Sequence, residues 1–452
     1  MDESRKTLTY VGVAIVLVAL AFLAAPRRIV PGAFQDQGQA FFPNFTDPNE
    51  ATSLEIVSYD AATSTPKPFK VMFKNGRWTI PSHHDYPADA KDRLAKTAAG
   101  VIDIQRDDYR TDNAAEFESM GVVDPMEEGS SSPTGRGTHV TFRGRDDNVL
   151  ADFIVGHVAG EGGTKRFVRK QGEKRVYAVK TNVDLSGKFE DWIDRDLLMI
   201  TKSDIDRVVL KDYSVNERTS SVEQHDIIDL NQKDGIWKAN KMSGDQVVDS
   251  AKMQGLLTAL DELSIVGVRT KPSGLSHTLQ GSSGGSITQQ DVLSLQNKGF
   301  YIGRDGQIVS NEGELQLQTK KGITYVLRFG EVARGTGDAL TAGQDESSAA
   351  AAGPAENRYL FVTASFDGPA SEEPKKPSSE SFRGKPDSLL TADEQKNKAL
   401  FEAHDRWKNS VDSARKSADE INARFANWYY VILATSFEKM HLKRSELVVK
   451  KK

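Results

Sequence analysis

The residues best suited to metal chemistry are the consecutive His83, His84 and Asp85. Imidazole nitrogens and carboxylate oxygens are common ligands of zinc and other transition metals. Adjacent side chains on a regular element point in different directions, so these three residues do not by themselves make a ligand set. The other histidines are scattered without ligand spacing. We therefore predict neither a bound metal nor a cofactor.

The sequence lacks the common local signatures of catalysis. It has no G-x-S-x-G nucleophile elbow, no phosphate-binding P-loop and no H-E-x-x-H zinc motif. The glycine-rich segment GEGGTK at 160–165 lacks the P-loop order of lysine and threonine and is interpreted as a hairpin turn. No residue is assigned a catalytic role, and we expect a protein that is not an enzyme.

Length and composition set the broad class. The chain has 452 residues, which predicts two or three domains. Charged residues make up 27% of it and the formal net charge is −5, so nucleic acid is not an expected partner. The absence of cysteine excludes disulfides, thiolate metal sites and a cysteine nucleophile.

One N-terminal segment predicts contact with a lipid bilayer. Leu8 to Ala25 is an uncharged run that, as a helix, would span about 27 Å of hydrocarbon. We interpret it as an uncleaved transmembrane anchor, with a cleaved signal peptide as the alternative. Arg5 and Lys6 before it balance Arg27 and Arg28 after it, and we favour an N-terminus inside the cell. The bulk of the chain would then be extracytoplasmic.

Two regions of the chain repeat one pattern. Asn75-Gly76 before Trp78 and Asp234-Gly235 before Trp237 each predict a hairpin turn between two strands. A helix is predicted after each hairpin; the inward residues are Leu94, Ala98, Val101 and Ile102 in the first copy and, after a cap at Asp249, Leu256, Leu257, Leu260 and Leu263 in the second.

The later strands also correspond, with Gly156-His157-Val158 opposite Gly330-Glu331-Val332. These patterns predict an α+β fold, in which an N-terminal transmembrane helix precedes two tandem repeats of a ββα-plus-strands domain and a long C-terminal amphipathic helix.

The predicted domain boundaries follow from these patterns. They are a cytoplasmic stub and anchor at 1–28, a spacer at 29–49, the first repeat at 50–200, the second repeat with low-complexity insertions at 201–367, a flexible linker at 368–388 and a C-terminal segment at 389–452.

The C-terminal segment carries an apolar stripe at heptad-like spacing. Its members are Leu400, Trp407, Val411, Ala414, Ala418, Ile421 and Phe425. The stripe predicts either packing onto its own domain or contact with a partner helix. The aromatic run that follows, Trp428 to Phe437, is interpreted as a buried strand, with insertion into a membrane interface beside the basic tail Lys450 to Lys452 as the alternative.

Several motifs resemble one uncharacterised family. NGRW, EFESMGVVDP, VGHVAG, RVYAV and FEDWIDRDLL occur in the order seen in domain of unknown function 4340, a family of bacterial single-pass membrane proteins, over about residues 50–200. The second repeat is similar to that of longer members. The resemblance implies a cytoplasmic-membrane protein that is auxiliary to ABC-type transporters, including those associated with gliding motility. It implies no catalytic residues.

Three functions remain open from the sequence. The leading one is a non-enzymatic, membrane-anchored accessory protein whose duplicated domain binds a transporter or envelope protein. A solute- or glycan-binding domain is the alternative, for which a cavity lined by Trp78 or Trp237 would argue. A tethered envelope hydrolase would need a cleft with His83, His84 or a carboxylate pair of raised pKa. The oligomeric state is not determined by the sequence.

Overall fold

The computed structural model describes residues 11–18, 20, 36–61, 63–127, 134–160, 162–216, 221–279, 286–304, 306–343, 356–368 and 372–451. The chain divides into two compact units. Unit 1 comprises Met1–Pro68 and Asp92–Ser186, and unit 2 comprises Phe69–Lys91 and Gly187–Lys452.

The strands of the described residues, in chain order, are β1 Ser53–Asp60, β2 Thr65–Lys74, β3 Arg77–Ile80, β4 Tyr86–Pro87, β5 Asp108–Thr111, β6 Thr138–Arg143, β7 Val149–Val158, β8 Lys165–Lys170, β9 Val176–Lys180, β10 Ile205–Asn216, β11 Ser221–Lys233, β12 Ile236–Ala239, β13 Gln246–Val248, β14 Ile265–Thr270, β15 Phe300–Ile302, β16 Ile308–Ser310, β17 Glu314–Thr319, β18 Ile323–Val332, β19 Arg358–Phe366, β20 Trp428–Ile432 and β21 Val448–Lys450.

The helices that concern the fold are α1 Lys91–Ile102, α2 Phe117–Met120, α3 Ser250–Asp261, α4 Ser273–Leu279, α5 Gln289–Gln296, α6 Asp338–Thr341, α7 Ala392–Ala426, α8 Ala434–Met440 and α9 Arg444–Leu447.

Unit 1 is built on antiparallel strands in the order β1-β6-β7-β8-β9-β5. Part of the predicted spacer packs on this sheet, since the Phe41 ring lies 5.7 Å from Tyr177 and the Phe42 ring 5.1 Å from Phe153. The buried face of α1 consists of Leu94, Thr97, Ala98 and Val101. Burial of the apolar side chains among them stabilises the unit.

Unit 2 holds an eight-stranded antiparallel sheet in the order β12-β11-β10-β17-β18-β19-β20-β14. Asp249 caps α3 by accepting bonds from the backbone N–H groups of Ala251 and Lys252 at 2.9 Å, which confirms the predicted cap. The strand β20 is buried along its whole length and pairs with β19 and β14. The aromatic run is therefore a core strand, as predicted, over Trp428–Ile432; its second half was predicted wrongly, because α8 begins at Ala434 and contains Phe437.

The two sheets share one strand order. The order β1-β6-β7-β8-β9-β5 in unit 1 corresponds to β10-β17-β18-β19-β20-β14 in unit 2. In both, the edge strand at the far end, β5 or β14, precedes most of its neighbours in the chain. The main difference is α7, which lies between β19 and β20, where only a short turn separates β8 from β9.

A glycine bulge recurs at equivalent places. The register shifts between Val155 and Val158 in β7, and between Phe329 and Val332 in β18. A Cβ atom added to Gly156 would lie 2.3 Å from the carbonyl oxygen of Met120, and one added to Gly330 would lie 2.1 Å from that of Lys298. Both sites thus require glycine because another backbone passes too close.

The predicted fold class is wrong. Four antiparallel sheets dominate the chain, so it is mostly β-structure with a long C-terminal helix rather than a ββα-based α+β fold. The transmembrane part of that prediction is also corrected: no helix in the described part of the chain has both the length and the apolar character of a membrane span. Of Leu8 to Ala25, residues 11–18 and 20 are described and helical, and the others lie outside the described residues.

We predict that Gly156→Ala and Gly330→Ala each destabilise the unit that contains them. The added methyl group must displace a backbone carbonyl, so the free energy of unfolding should fall by about 1–3 kcal/mol. Urea unfolding followed by circular dichroism measures this effect. Gly255→Ala is the matched control, because a methyl group added to this residue of α3 would have no other atom within 4 Å. That variant should be unchanged or slightly more stable; equal stability of all three variants would refute the steric account.

Candidate functional site

Trp237 lies on a hairpin at the edge of the sheet in unit 2. The strands β11 and β12 pair through Lys233 and Ile236, and the two residues between them, Asp234 and Gly235, have φ angles of 52° and 79°. Positive φ at both central residues is the mark of a type I′ turn, which confirms the turn predicted from Asp-Gly. The register places Trp237 opposite Gln232.

A cavity of about 900 Å³ lies beside this hairpin, and we call it the Trp237 cavity. Volumes of roughly 300–1,000 Å³ are usual for ligand sites. Its wall is formed by β12, the loop after it, β13, the start of α3 and the residue after β21. The lining residues are Gly235, Ile236, Trp237, Lys238, Ala239, Lys241, Met242, Ser243, Gly244, Gln246, Val247, Val248, Ser250, Met253, Gln254 and Lys451.

The indole N–H of Trp237 is a buried donor without an acceptor. Its Nε1 atom is inaccessible to water and has no hydrogen-bond partner among the described residues. A buried donor that is left unpaired costs about 1–3 kcal/mol. Because water does not reach this atom, a ligand oxygen in the cavity does not reach it either, and the indole contributes its ring face and edge to a largely apolar wall.

The charge of the cavity wall has one sign. Three lysines, Lys238, Lys241 and Lys451, line it, and no aspartate or glutamate belongs to the lining. The floor includes Met253, which is fully buried in α3, and Met242. Methionine side chains are flexible and polarisable, and they adapt to varied apolar ligands. The wall therefore suits a group that is both apolar and anionic.

Trp78, the corresponding residue of the first hairpin, has a different environment. Its ring meets Phe73 edge to face at 5.4 Å. The next strand, β4, pairs with the outer edge of β3, and the N–H of Ala88 donates to the carbonyl oxygen of Trp78 at 3.0 Å. On β12 the same edge has no hydrogen-bonded strand within the described residues, although β13 lies beside it and the N–H of Ala239 donates to Met242 Sδ at 3.1 Å. The second copy thus leaves part of this edge without the strand that pairs with it in the first copy.

His83, His84 and Asp85 are separated by their hydrogen bonds. His83 lies between the hydroxyl groups of Ser82 and Thr341, each 2.9 Å from a ring nitrogen, and it stacks on Phe189 at 4.3 Å. Burial lowers the pKa of His83 to about 4, so its ring is neutral at pH 7.

The two neighbouring residues have other partners: His84 Nε2 donates to the carbonyl oxygen of Ala342, and Asp85 pairs with Lys74 at 3.3 Å. No group of three or more histidine and carboxylate side chains is arranged for a metal in the part of the chain that the structure describes.

Unit 1 contains a buried acid–histidine cluster that the sequence did not indicate. His139 Nε2 lies 2.6 Å from Asp152 and its Nδ1 3.5 Å from Asp124. Burial alone would lower the pKa of His139, but the hydrogen bonds and charges of the two aspartates outweigh it and raise that pKa to about 9.

Asp124 responds in the opposite direction. Burial would raise its pKa, yet bonds from His139, the backbone N–H of Met126 and Gln171 together lower it to about 2. Both partners are therefore charged at neutral pH. A carboxylate with a lowered pKa is a poor general acid or base at pH 7, so this cluster has the properties of an internal ion pair.

The comparisons with known proteins bear on this region. Residues 78–279 match the family described as Domain of unknown function (DUF4340). The match covers less than half of the chain and supports assignment of these residues to the DUF4340 family. No curated protein and no solved structure matches the chain.

The DUF4340 region includes both hairpin tryptophans, the His139 cluster and every lining residue of the Trp237 cavity except Lys451. The family resemblance predicted from motifs in residues 50–200 is confirmed, and the match continues into unit 2.

The predicted contact stripe on α7 lies outside the DUF4340 match. Ala414, Ala418 and Phe425 are buried within unit 2, while Leu400, Trp407, Val411 and Ile421 are half-buried. Asn422, beside the stripe, accepts from the N–H of Ala364 and donates to the carbonyl oxygen of Leu279. The C-terminal half of the stripe thus packs on its own unit, and its contact with a partner stays a prediction.

We predict that the stability of unit 1 falls as the pH rises towards 9. His139 has a folded pKa of about 9 against an ordinary value of 6.5, so its contribution is complete below pH 6.5 and is lost as the pH passes the higher value. The loss should be roughly 2–3 kcal/mol in the free energy of unfolding. Urea titrations at several pH values measure it.

The control is His139→Gln, which carries no titrating ring. It should be less stable at neutral pH, because two aspartates then lack a cation, and its stability should change much less between pH 6.5 and 9. An unchanged pH profile in this variant would contradict the assignment.

Proposed function

We propose that this protein is a non-enzymatic binding protein that takes an extended segment of a partner protein at the Trp237 cavity. The observation that carries the proposal is the open edge of β12 beside that cavity. An unpaired strand edge offers backbone N–H and C=O groups to an incoming strand, and the side-chain pockets next to it supply selectivity.

A polypeptide fits the cavity better than a glycan. Sugar hydroxyls need dense hydrogen bonding, and each one left unpaired against an apolar wall carries a desolvation cost. Besides its lysines, serines and glutamines, the lining includes Met242, Val247 and Met253, against which sugar hydroxyls would be left unpaired. A peptide uses the strand edge for its backbone and places apolar side chains on this floor.

A hydrolytic function has less support. The acid–histidine cluster in unit 1 is an ion pair with a lowered aspartate pKa, and the rings of His83 and His84 are occupied by internal hydrogen bonds. The source of the partner is proposed from the family resemblance alone, which implies a component of an ABC-type transporter or of the cell envelope.

The test is photo-crosslinking in cells with the full chain. A benzophenone amino acid replaces Ile236, whose side chain is 62% exposed at the mouth of the cavity. We expect an adduct with a protein, and we expect Trp237→Ala to abolish it, because the ring forms one wall of the site. Circular dichroism of the purified variant verifies that it is folded.

Arg77 is the matched control position, since it occupies the place of Ile236 in the first hairpin, whose edge is closed by β4. A probe at Arg77 should give no such adduct. The proposal fails if the adduct at Ile236 survives Trp237→Ala, or if both positions capture the same proteins. An adduct that resists proteases and is cleaved by glycosidases would show that the ligand is a glycan and not a peptide.

A further inference from the structure

The chemistry of the cavity wall specifies the kind of segment that binds, provided that the proposed function holds. We infer that the segment bound at the Trp237 cavity is acidic, with carboxylate-bearing residues alternating with apolar ones. Two features support this: the charges of the wall and the geometry of a strand added to β12.

The lysines of the cavity wall are available to a ligand. Lys238, Lys241 and Lys451 form no ion pair with a carboxylate of the described residues, although the chain as a whole carries a net charge of −5. A lining that holds three lysines and no carboxylate favours anionic groups and speeds their arrival.

The geometry of a β-strand predicts the alternation. Trp237 and Lys238 are consecutive on β12, so their side chains leave opposite faces of the strand. A segment paired with this edge also presents alternate residues to the two faces. On the face of Trp237 it would place apolar side chains, and on the face of Lys238 it would place carboxylates.

Polar side chains of the cavity wall add to these features. Amide groups of Gln246 and Gln254 on the same wall can accept or donate to further backbone groups. The polar groups of the wall can thus bind the backbone and carboxylates of such a segment, and the apolar groups can contact its apolar side chains.

The test measures binding of two labelled peptides to the full chain by fluorescence anisotropy. One is a capped octapeptide of alternating leucine and glutamate, and the other replaces each glutamate by glutamine. We expect the glutamate peptide to bind at least about tenfold more tightly at low ionic strength, and the difference to shrink at high ionic strength because salt screens exposed charges. The double variant Lys238→Gln, Lys241→Gln should remove the preference.

The control variant is Lys416→Gln, on the exposed face of α7, which should leave the preference unchanged. If the two peptides bind equally and Trp237→Ala abolishes both, the segment is not selected for acidity and this inference is overturned, while the proposed function stands. If neither peptide binds, or if binding persists in Trp237→Ala, the proposed function is overturned together with the inference.

Discussion

The organisation of this protein depends on how the edge of a β-sheet is completed. A terminal strand presents unpaired N–H and C=O groups, and a folded protein must cover them, blunt them or use them. In the first copy of the hairpin, the two-residue strand β4 covers the edge and Ala88 satisfies the carbonyl of Trp78. In the second copy no described strand forms hydrogen bonds with this edge of β12, although β13 lies beside it, and a cavity adjoins the hairpin.

The duplication explains how this difference arises. Equivalent hairpins, with the same turn geometry and the same tryptophan, are placed at equivalent positions in strand order. Equivalent glycine bulges set the course of β7 and β18. At this edge the two copies differ in the strand after the hairpin, which pairs with β3 in the first copy and with β21 in the second.

Local features of the fold were predictable from sequence, because they depend on a few adjacent residues. Asn-Gly and Asp-Gly predict their turns, Asp249 predicts a helix cap, and the aromatic run at Trp428 predicts a buried strand. The dominance of β-sheet could not be predicted from the sequence, because strands such as β15, β16 and β21 are only three residues long and carry little periodic signal.

Contacts between residues that are far apart in the chain could not be predicted from the sequence either. His83 is hydrogen-bonded to Thr341 and His84 to Ala342, in each case across 258 residues of sequence, and no local sequence pattern predicts such contacts. The cluster of Asp124, His139 and Asp152 likewise joins three separate segments. The sequence identified Trp237 as a candidate, but only the structure shows that its indole donor is unpaired and that three lysines surround the cavity.

The most direct measurement of the central claim is a nuclear magnetic resonance spectrum of the indole N–H groups. The full chain, labelled with ¹⁵N-tryptophan, carries five such groups, which Trp→Phe substitutions assign one by one. Addition of the leucine–glutamate peptide should shift the resonance of Trp237, whose ring lines the cavity, and should leave that of Trp78 in place. A spectrum in which Trp237 does not move, or in which Trp78 moves equally, would contradict the account.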